Sequence, residues 1–205
     1  SASTTNSSLL WSMGVYGYSA TDSRIYVGEA ENGNYYYGST TMLNNTWYHL
    51  VVTASGSSWT LYVNGVPQTL TAESGSSNDG YFFGQVASGT MQYAIASTRR
   101  ASGPEFYFGG SISDVRIYNH VLSAAEITNL YNSYNSQISL GGSGQSGSVS
   151  LGAGLIGYWP FNGNARDATP YSDDGTVSGA ILTTDRKSRN NSAYGFNGTS
   201  SGIYI

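Results

Sequence analysis

Residues 47–65, WYHLVVTASGSSWTLYVNG, restrict the fold of this chain more than any other stretch. From Trp47 to Ala54 the side chains alternate as in a half-buried strand, with Tyr48, Leu50, Val52 and Ala54 on one face and His49, Val51 and Thr53 on the other. Ser55-Gly56-Ser57-Ser58 has the composition of a turn, after which Trp59, Leu61 and Val63 resume a period of two. Asn64-Gly65 closes a second hairpin, because both residues tolerate the positive φ of a type I′ turn. The spacing predicts a three-stranded meander ending near Thr69, so an all-β architecture.

Composition agrees. Charged residues are 10% of 205, while Gly numbers 27 and Tyr 18, a balance of strand and turn formers. The net charge of −4 argues against nucleic acid and against anionic membranes, which want a basic stripe. There is no cysteine, hence no disulfide framework, thiolate nucleophile or Cys-based zinc site. No apolar run reaches membrane-spanning length and no signal peptide is evident, so membrane insertion is not expected. The chain begins at Ser1, and a preceding segment is expected to have been removed or to lie outside it. Few charged side chains among many strand and turn formers point to a surface-type domain, so the expected location is extracellular or cell surface; a secreted protein without disulfides is more often bacterial than animal.

Further strands are expected at 9–14, 24–27, 35–37, 81–84 and 93–97, with loops at 17–23, 75–80 and 98–104. Residues 111–119, SISDVRIYN, read as one strand with Ile112, Asp114, Arg116 and Tyr118 on one face. The one helix expected runs from Ser123 to about Tyr134. Ser123 and Glu126 have the spacing of a capping box, Leu122 and Ile127 that of a hydrophobic staple. Residues 139–153, SLGGSGQSGSVSLGA, read as a flexible linker reaching roughly 20 Å.

These motifs together resemble a laminin-G-like domain of the concanavalin A-like lectin and glucanase superfamily. Trp-Tyr-His with Leu-Tyr-Val-Asn-Gly is similar to the centre of such domains, and DVRIYNHVLSAAEITNLY to their usual end. Beyond the linker, GLIGYWPFNGNARDATPYSDDGTVSGA, then AYGFNG and GIYI, resemble their usual beginning. The family order is thus rotated, with residues 1–138 an end-type part and 154–205 a beginning-type part. A Phe-Thr-x-Ser-x-Trp-Val strand usual in the family has no counterpart. Three accounts stay open: an excerpt from a tandem array, a permutant, or exchange between neighbouring chains with a donated strand. The resemblance implies a two-sheet antiparallel jelly-roll sandwich with one short helix.

Candidate chemistry is sparse. His49 and His120 are the two histidines, and without a G-x-S-x-G elbow a structural role is expected for His49. Glu29 and Glu31, at i and i+2 on one strand face with Cα atoms roughly 6.5 Å apart, would suit acid and nucleophile. They lack the Glu-x-Asp-x-x-Glu pattern of the superfamily's glucanases. Asn162, Asn164, Asp167, Asp173 and Asp174 supply hard oxygens in loops, as Ca²⁺ prefers. Many relatives bind a structural calcium, and Asp167 and Asp174, with Asp114 as a third, are the candidate ligands. Asx residues also simply build turns, and Asp114 could pair with Arg116. Trp11, Trp47, Trp59 and Trp159 fall within strands and are expected in the core. Tyr16, Tyr18, Tyr35, Tyr36 and Tyr171 are the candidate ligand contacts. The expected function is a non-enzymatic binding or adhesion module for glycans or proteins, one of a series of copies. A filament subunit, and then a glycoside hydrolase or lyase, are the competing readings.

Overall fold

A computed structural model of the chain describes residues 11–19, 22–29, 33–74, 78–80, 93–100, 103–133 and 152–205. Glu31, residues 9–10, the expected strand at 81–84 and nearly all of the linker lie outside them.

Strands β1 (Trp11–Ser19), β2 (Asp22–Glu29), β3 (Asn34–Met42) and β7 (Thr71–Ser74) form an antiparallel sheet in the order β1-β2-β3-β7. β4 (Leu50–Ala54), β5 (Trp59–Val63) and β6 (Val66–Pro67) form the meander read from the sequence. Its hairpin closes through Asn64 at φ 52° and Gly65 at φ 79°, the turn that Asn-Gly allows at least cost. The two sheets face each other across a first core. Ile25, Val27, Tyr36 and Met42 from one pack against Trp59, Leu61 and Val63 from the other.

The second half of the chain builds a second core. β8 (Ala94–Ile95), the hairpin of β9 (Thr98–Arg100) and β10 (Gly103–Glu105), β11 (Gly109–Ile112) and β12 (Val115–Tyr118) precede helix α1 (Ala124–Asn132). β13 (Leu155–Trp159), β14 (Thr176–Ser178), β15 (Ile181–Thr183), β16 (Ala193–Asn197) and β17 (Gly202–Tyr204) follow. Residues 154–205 pair with 93–118 of the same chain: β12 with β13, β11 with β16, and β8 with β17, all antiparallel. The buried set is Trp159, Phe161, Ala165, Tyr194, Phe196 and Ile203.

Helix α1 builds a third cluster that bridges the meander and β12. Leu122, Ile127 and Leu130 pack on Val51 and Tyr62 of the meander and on Tyr118 of β12. Its capping box forms as read, with Ser123 Oγ accepting from the Glu126 N–H at 3.3 Å and Glu126 Oε2 accepting from the Ser123 N–H at 2.7 Å.

Three expectations are corrected. The loop expected at 17–23 is mostly strand, because β1 and β2 continue to Ser19 and from Asp22. The loop expected at 98–104 is the β9–β10 hairpin. The single strand expected at 111–119 is broken at Asp114, whose φ of 57° shifts the alternation by one residue. Ile112 therefore joins Val115 and Ile117 in the second core instead of sharing a face with Arg116.

Candidate functional site

The outer face of the β1-β2-β3-β7 sheet is paved with tyrosine rings. Cross-strand register places Tyr16 opposite Arg24, Gly14 opposite Tyr26, Tyr26 opposite Tyr37 and Gly28 opposite Tyr35. By alternation these residues share the side of the sheet away from the first core. Both glycines leave room for a ring to lie down. A β-carbon on Gly14 would sit 3.0 Å from Tyr26 Cε1, and one on Gly28 would overlap Tyr35 Cδ1. Tyr16, 45% exposed, meets Tyr37 at 5.5 Å and Tyr26 edge-on at 6.4 Å between centroids. The Tyr37 hydroxyl bonds to the Glu73 carboxylate. Beside them, Asp22 takes a fork from Arg24 at 2.8 and 2.9 Å and a bond from Thr41 at 3.1 Å. Tyr16 is the exposed ring of this face; Tyr26 and Tyr35 are half-buried, and Tyr37, at 6% exposure, is buried beneath its neighbours. An exposed ring face beside fixed polar groups suits a pyranose or a peptide side chain, since both present apolar faces with hydrogen-bonding edges.

Of the residues read from the sequence, Tyr16 and Tyr35 belong to this face. Tyr36 does not: paired opposite Val27, it points the other way, into the first core, where its ring meets Trp59 at 6.1 Å. Tyr171 is 62% exposed on the 170–174 loop, with no ring contact among the described residues. The backbone of Tyr18 lies in β1, and its side chain is outside the described residues. Trp59 and Trp159 are core as expected, while Trp47 is 38% exposed.

The tyrosine face continues into a cavity of about 2290 Å³ that is also lined by β4, β12 and the segment before β4. A compact polar group sits on its wall. Arg116 bonds Asp114 through Nη2 at 2.9 Å, with Nε 2.7 Å from the second carboxylate oxygen. The guanidinium carbon lies 4.7 Å over the Tyr158 ring. Burial, reinforced by the positive charges of Arg186 and Arg116 against the opposing pull of Asp114, lowers the His49 pKa to about 4. His49 is therefore a neutral imidazole near pH 7, packed 5.8 Å from the Tyr131 ring, and among the described residues no hydroxyl is bonded to its Nδ1. The structural role expected for it fits this setting.

The acidic residues are engaged in the fold. Glu29 is 0% exposed and accepts a bond from Asn34 Nδ2 at 3.1 Å; the same amide donates to Asp79 at 2.9 Å. A carboxylate sealed in this way has no path to a substrate. Asp167 accepts four bonds, Oδ1 from the Tyr158 and Thr169 N–H groups at 2.9 Å each, Oδ2 from Thr169 Oγ1 at 2.6 Å and the Asp173 N–H at 3.2 Å. Burial pushes its pKa up, but these donors outweigh that and hold it below the ordinary carboxylate value. Asp174 in turn accepts from the Asp167 N–H at 2.9 Å. Donors, which a cation would have to displace, fill the acceptor positions of Asp167, and Asp114 is taken by Arg116. Among the described residues no group of three or more His, Cys, Asp or Glu converges as a metal site. These side chains do not fit a resident calcium as they stand.

The laminin-G-like family model Laminin_G_3, described as the Concanavalin A-like lectin/glucanases superfamily, matches residues 2–128. The chain belongs to this family. Its antiparallel sheets, packed in layers with one helix among the described residues, are the all-β sandwich of the superfamily. No curated protein matches the chain. Among solved structures it is similar to an S-layer domain-containing protein (residues 221–444) from Clostridium thermocellum ATCC 27405, at 22% identity and a TM-score of 0.30. The match covers 64% of this chain and 66% of that one. Among the described residues no helix is long and apolar enough to cross a membrane.

For this laminin-G-like chain, sequence reasoning missed Tyr26 and Tyr37 as members of the tyrosine face. The signal was present as glycines at 14 and 28 that face tyrosines across the ladder, but it is visible only once the register is known.

Proposed function

We propose that this chain is a non-enzymatic binding or adhesion module of a repetitive extracellular surface protein, recognising glycans or proteins through its tyrosine face. The observation that carries the reading is the half-exposed Tyr16 ring, fixed against Tyr26 and Tyr37 on the open side of the sheet. Aromatic rings held in place by neighbours lose little entropy on binding, which makes such a surface a good platform. The superfamily supports a lectin-like use. Low charge and the absence of cysteine suit a surface location. A glycosidase would need two carboxyl groups about 5–10 Å apart flanking a bound sugar. Glu29 is sealed in the interior and Asp114 is paired, so neither supplies that chemistry.

Titration of the folded chain with soluble xylan, chitin oligomers and peptidoglycan fragments, alongside an assay for released reducing ends, tests the reading. Saturable binding without turnover is expected. Sustained release of reducing ends, abolished by Glu29→Gln, would overturn it in favour of a hydrolase.

A further inference from the structure

Among the described residues β4 and β12 are end strands, in the orders β4-β5-β6 and β12-β13. An end strand leaves alternate N–H and C=O groups without a ladder partner. On β4 the phase is fixed by the Asn64 N–H donating to the His49 carbonyl at 2.8 Å and the Ser55 N–H to the Ser58 carbonyl at 3.0 Å. Val51 and Thr53 then take the ladder bonds to β5, and Leu50, Val52 and Ala54 turn their backbone groups the other way.

The side chains of both strands are already used. Leu50, Val52 and Ala54 pack on the first core and Val51 on the helix. Val115 and Ile117 pack on the second core and Tyr118 on the helix. Yet every residue of β4 and of β12 is only half-buried, whereas neighbouring β5 buries Trp59, Leu61 and Val63. What lies open is the hydrogen-bonding edge, not an apolar face.

Both strands line, along their whole length, the same cavity of about 2290 Å³. That is more than twice the roughly 300–1,000 Å³ of a small-molecule pocket. His49 Nδ1 and Ser97 Oγ, buried on its wall, have no hydrogen-bond partner among the described residues. With Asp114 and Arg116 already paired to each other, the wall between the strands asks for an uncharged occupant that brings backbone donors and acceptors.

We propose that this cleft accepts one extended, uncharged strand from a second polypeptide chain, seated between β4 and β12 and hydrogen-bonded to both. A length of about five residues, roughly 17 Å, matches β4. Backbone bonds supply affinity along both edges, and alternate side chains enter the two flanking cores, as in strand addition. The strand edges and the tyrosine face open on the same cavity but are different groups of atoms, backbone on one side and ring faces on the other, and each can fail without the other.

The probe is a synthetic peptide alternating Thr with Val, with a lysine at each end for solubility, labelled with fluorescein and titrated with the folded chain. Two analogues carry N-methyl groups on one or the other alternate set of residues, which removes the donors along one edge only. Saturable binding is expected, with amide shifts in nuclear magnetic resonance centred on Leu50, Val52, Ala54 and β12. Either methylated set is expected to lose about tenfold or more in affinity. A peptide binding a single edge would turn over and tolerate one set, and that result would overturn insertion between two edges. Absence of binding, or shifts confined to the tyrosine face, would overturn the acceptor site itself.

Discussion

The Tyr35 ring lies across Gly28, in the space a β-carbon at residue 28 would take. Residue 28 is in ordinary strand conformation, so a side chain there meets no backbone penalty, and its effect is steric alone. Gly28→Ala is expected to lift the ring from the sheet and cost about 1–3 kcal/mol, the usual range for overpacking. Thermal and urea denaturation measure it. An unchanged midpoint with unchanged tyrosine fluorescence would mean that the ring does not lie there.

Asp167 clasps the loop that runs under Trp159, whose indole N–H donates to the Asp173 carbonyl at 2.9 Å. Asp167→Ala leaves three backbone N–H groups and one hydroxyl without their acceptor. A loss of about 2–4 kcal/mol is expected, since bonds to a charged acceptor are the stronger kind. Because these donors, not a cation, hold the carboxylate, EDTA should leave the wild-type melting temperature unchanged. A fall on chelation, restored by Ca²⁺, would contradict this account of the loop.

His49 gives the chain a pH dependence of predictable sign. Its pKa falls from 6.5 to about 4 on folding, so between those values the unfolded state binds more protons. Stability is therefore full above about pH 6.5 and declines as pH drops towards 4, by at most about 3 kcal/mol. Asp167 and Asp185, whose pKa values are depressed, add their losses only below the ordinary carboxylate range. His49→Phe should flatten the profile between pH 6.5 and 4 and leave the lower limb intact. A variant with the wild-type slope in that window would show that another group carries it.

Helix α1 rests on its cap. Ser123→Ala removes the acceptor for the Glu126 N–H and should cost about 1 kcal/mol. Since Leu130 and Ile127 pack the helix on the meander and on β12, the loss should appear in the global unfolding transition. A change confined to local amide exchange would mean that the helix frays independently.

The meander, its Asn-Gly turn and the capped helix were legible in the sequence because each depends on local rules: a period of two, positive φ and a capping box. The helix ends at Asn132, two residues before the expected Tyr134. What was not legible depends on partners distant in the chain. Tyr35, Tyr36 and Tyr37 are identical in kind, and only the strands beside them decide that Tyr36 turns to the core. Asp114 interrupts an unbroken alternation because its backbone enters the left-handed region, which the pattern of apolar residues does not signal. The oxygen-rich stretch at 162–174 reads equally as a cation site or as a turn clasp. The N–H groups that fill Asp167 come partly from Tyr158, in a different strand.

Recognition through the tyrosine face, without a catalytic carboxylate, is tested most directly by a pair of variants in one binding experiment. Wild-type chain, Tyr16→Ala and Glu29→Gln are titrated calorimetrically against whichever of the soluble polysaccharides the wild type binds. Tyr16→Ala is expected to weaken binding about tenfold or more while remaining folded by circular dichroism, because it removes the exposed ring of the platform. Glu29→Gln should bind like wild type. Undiminished binding by Tyr16→Ala, or loss of binding in Glu29→Gln with the fold intact, would contradict the account.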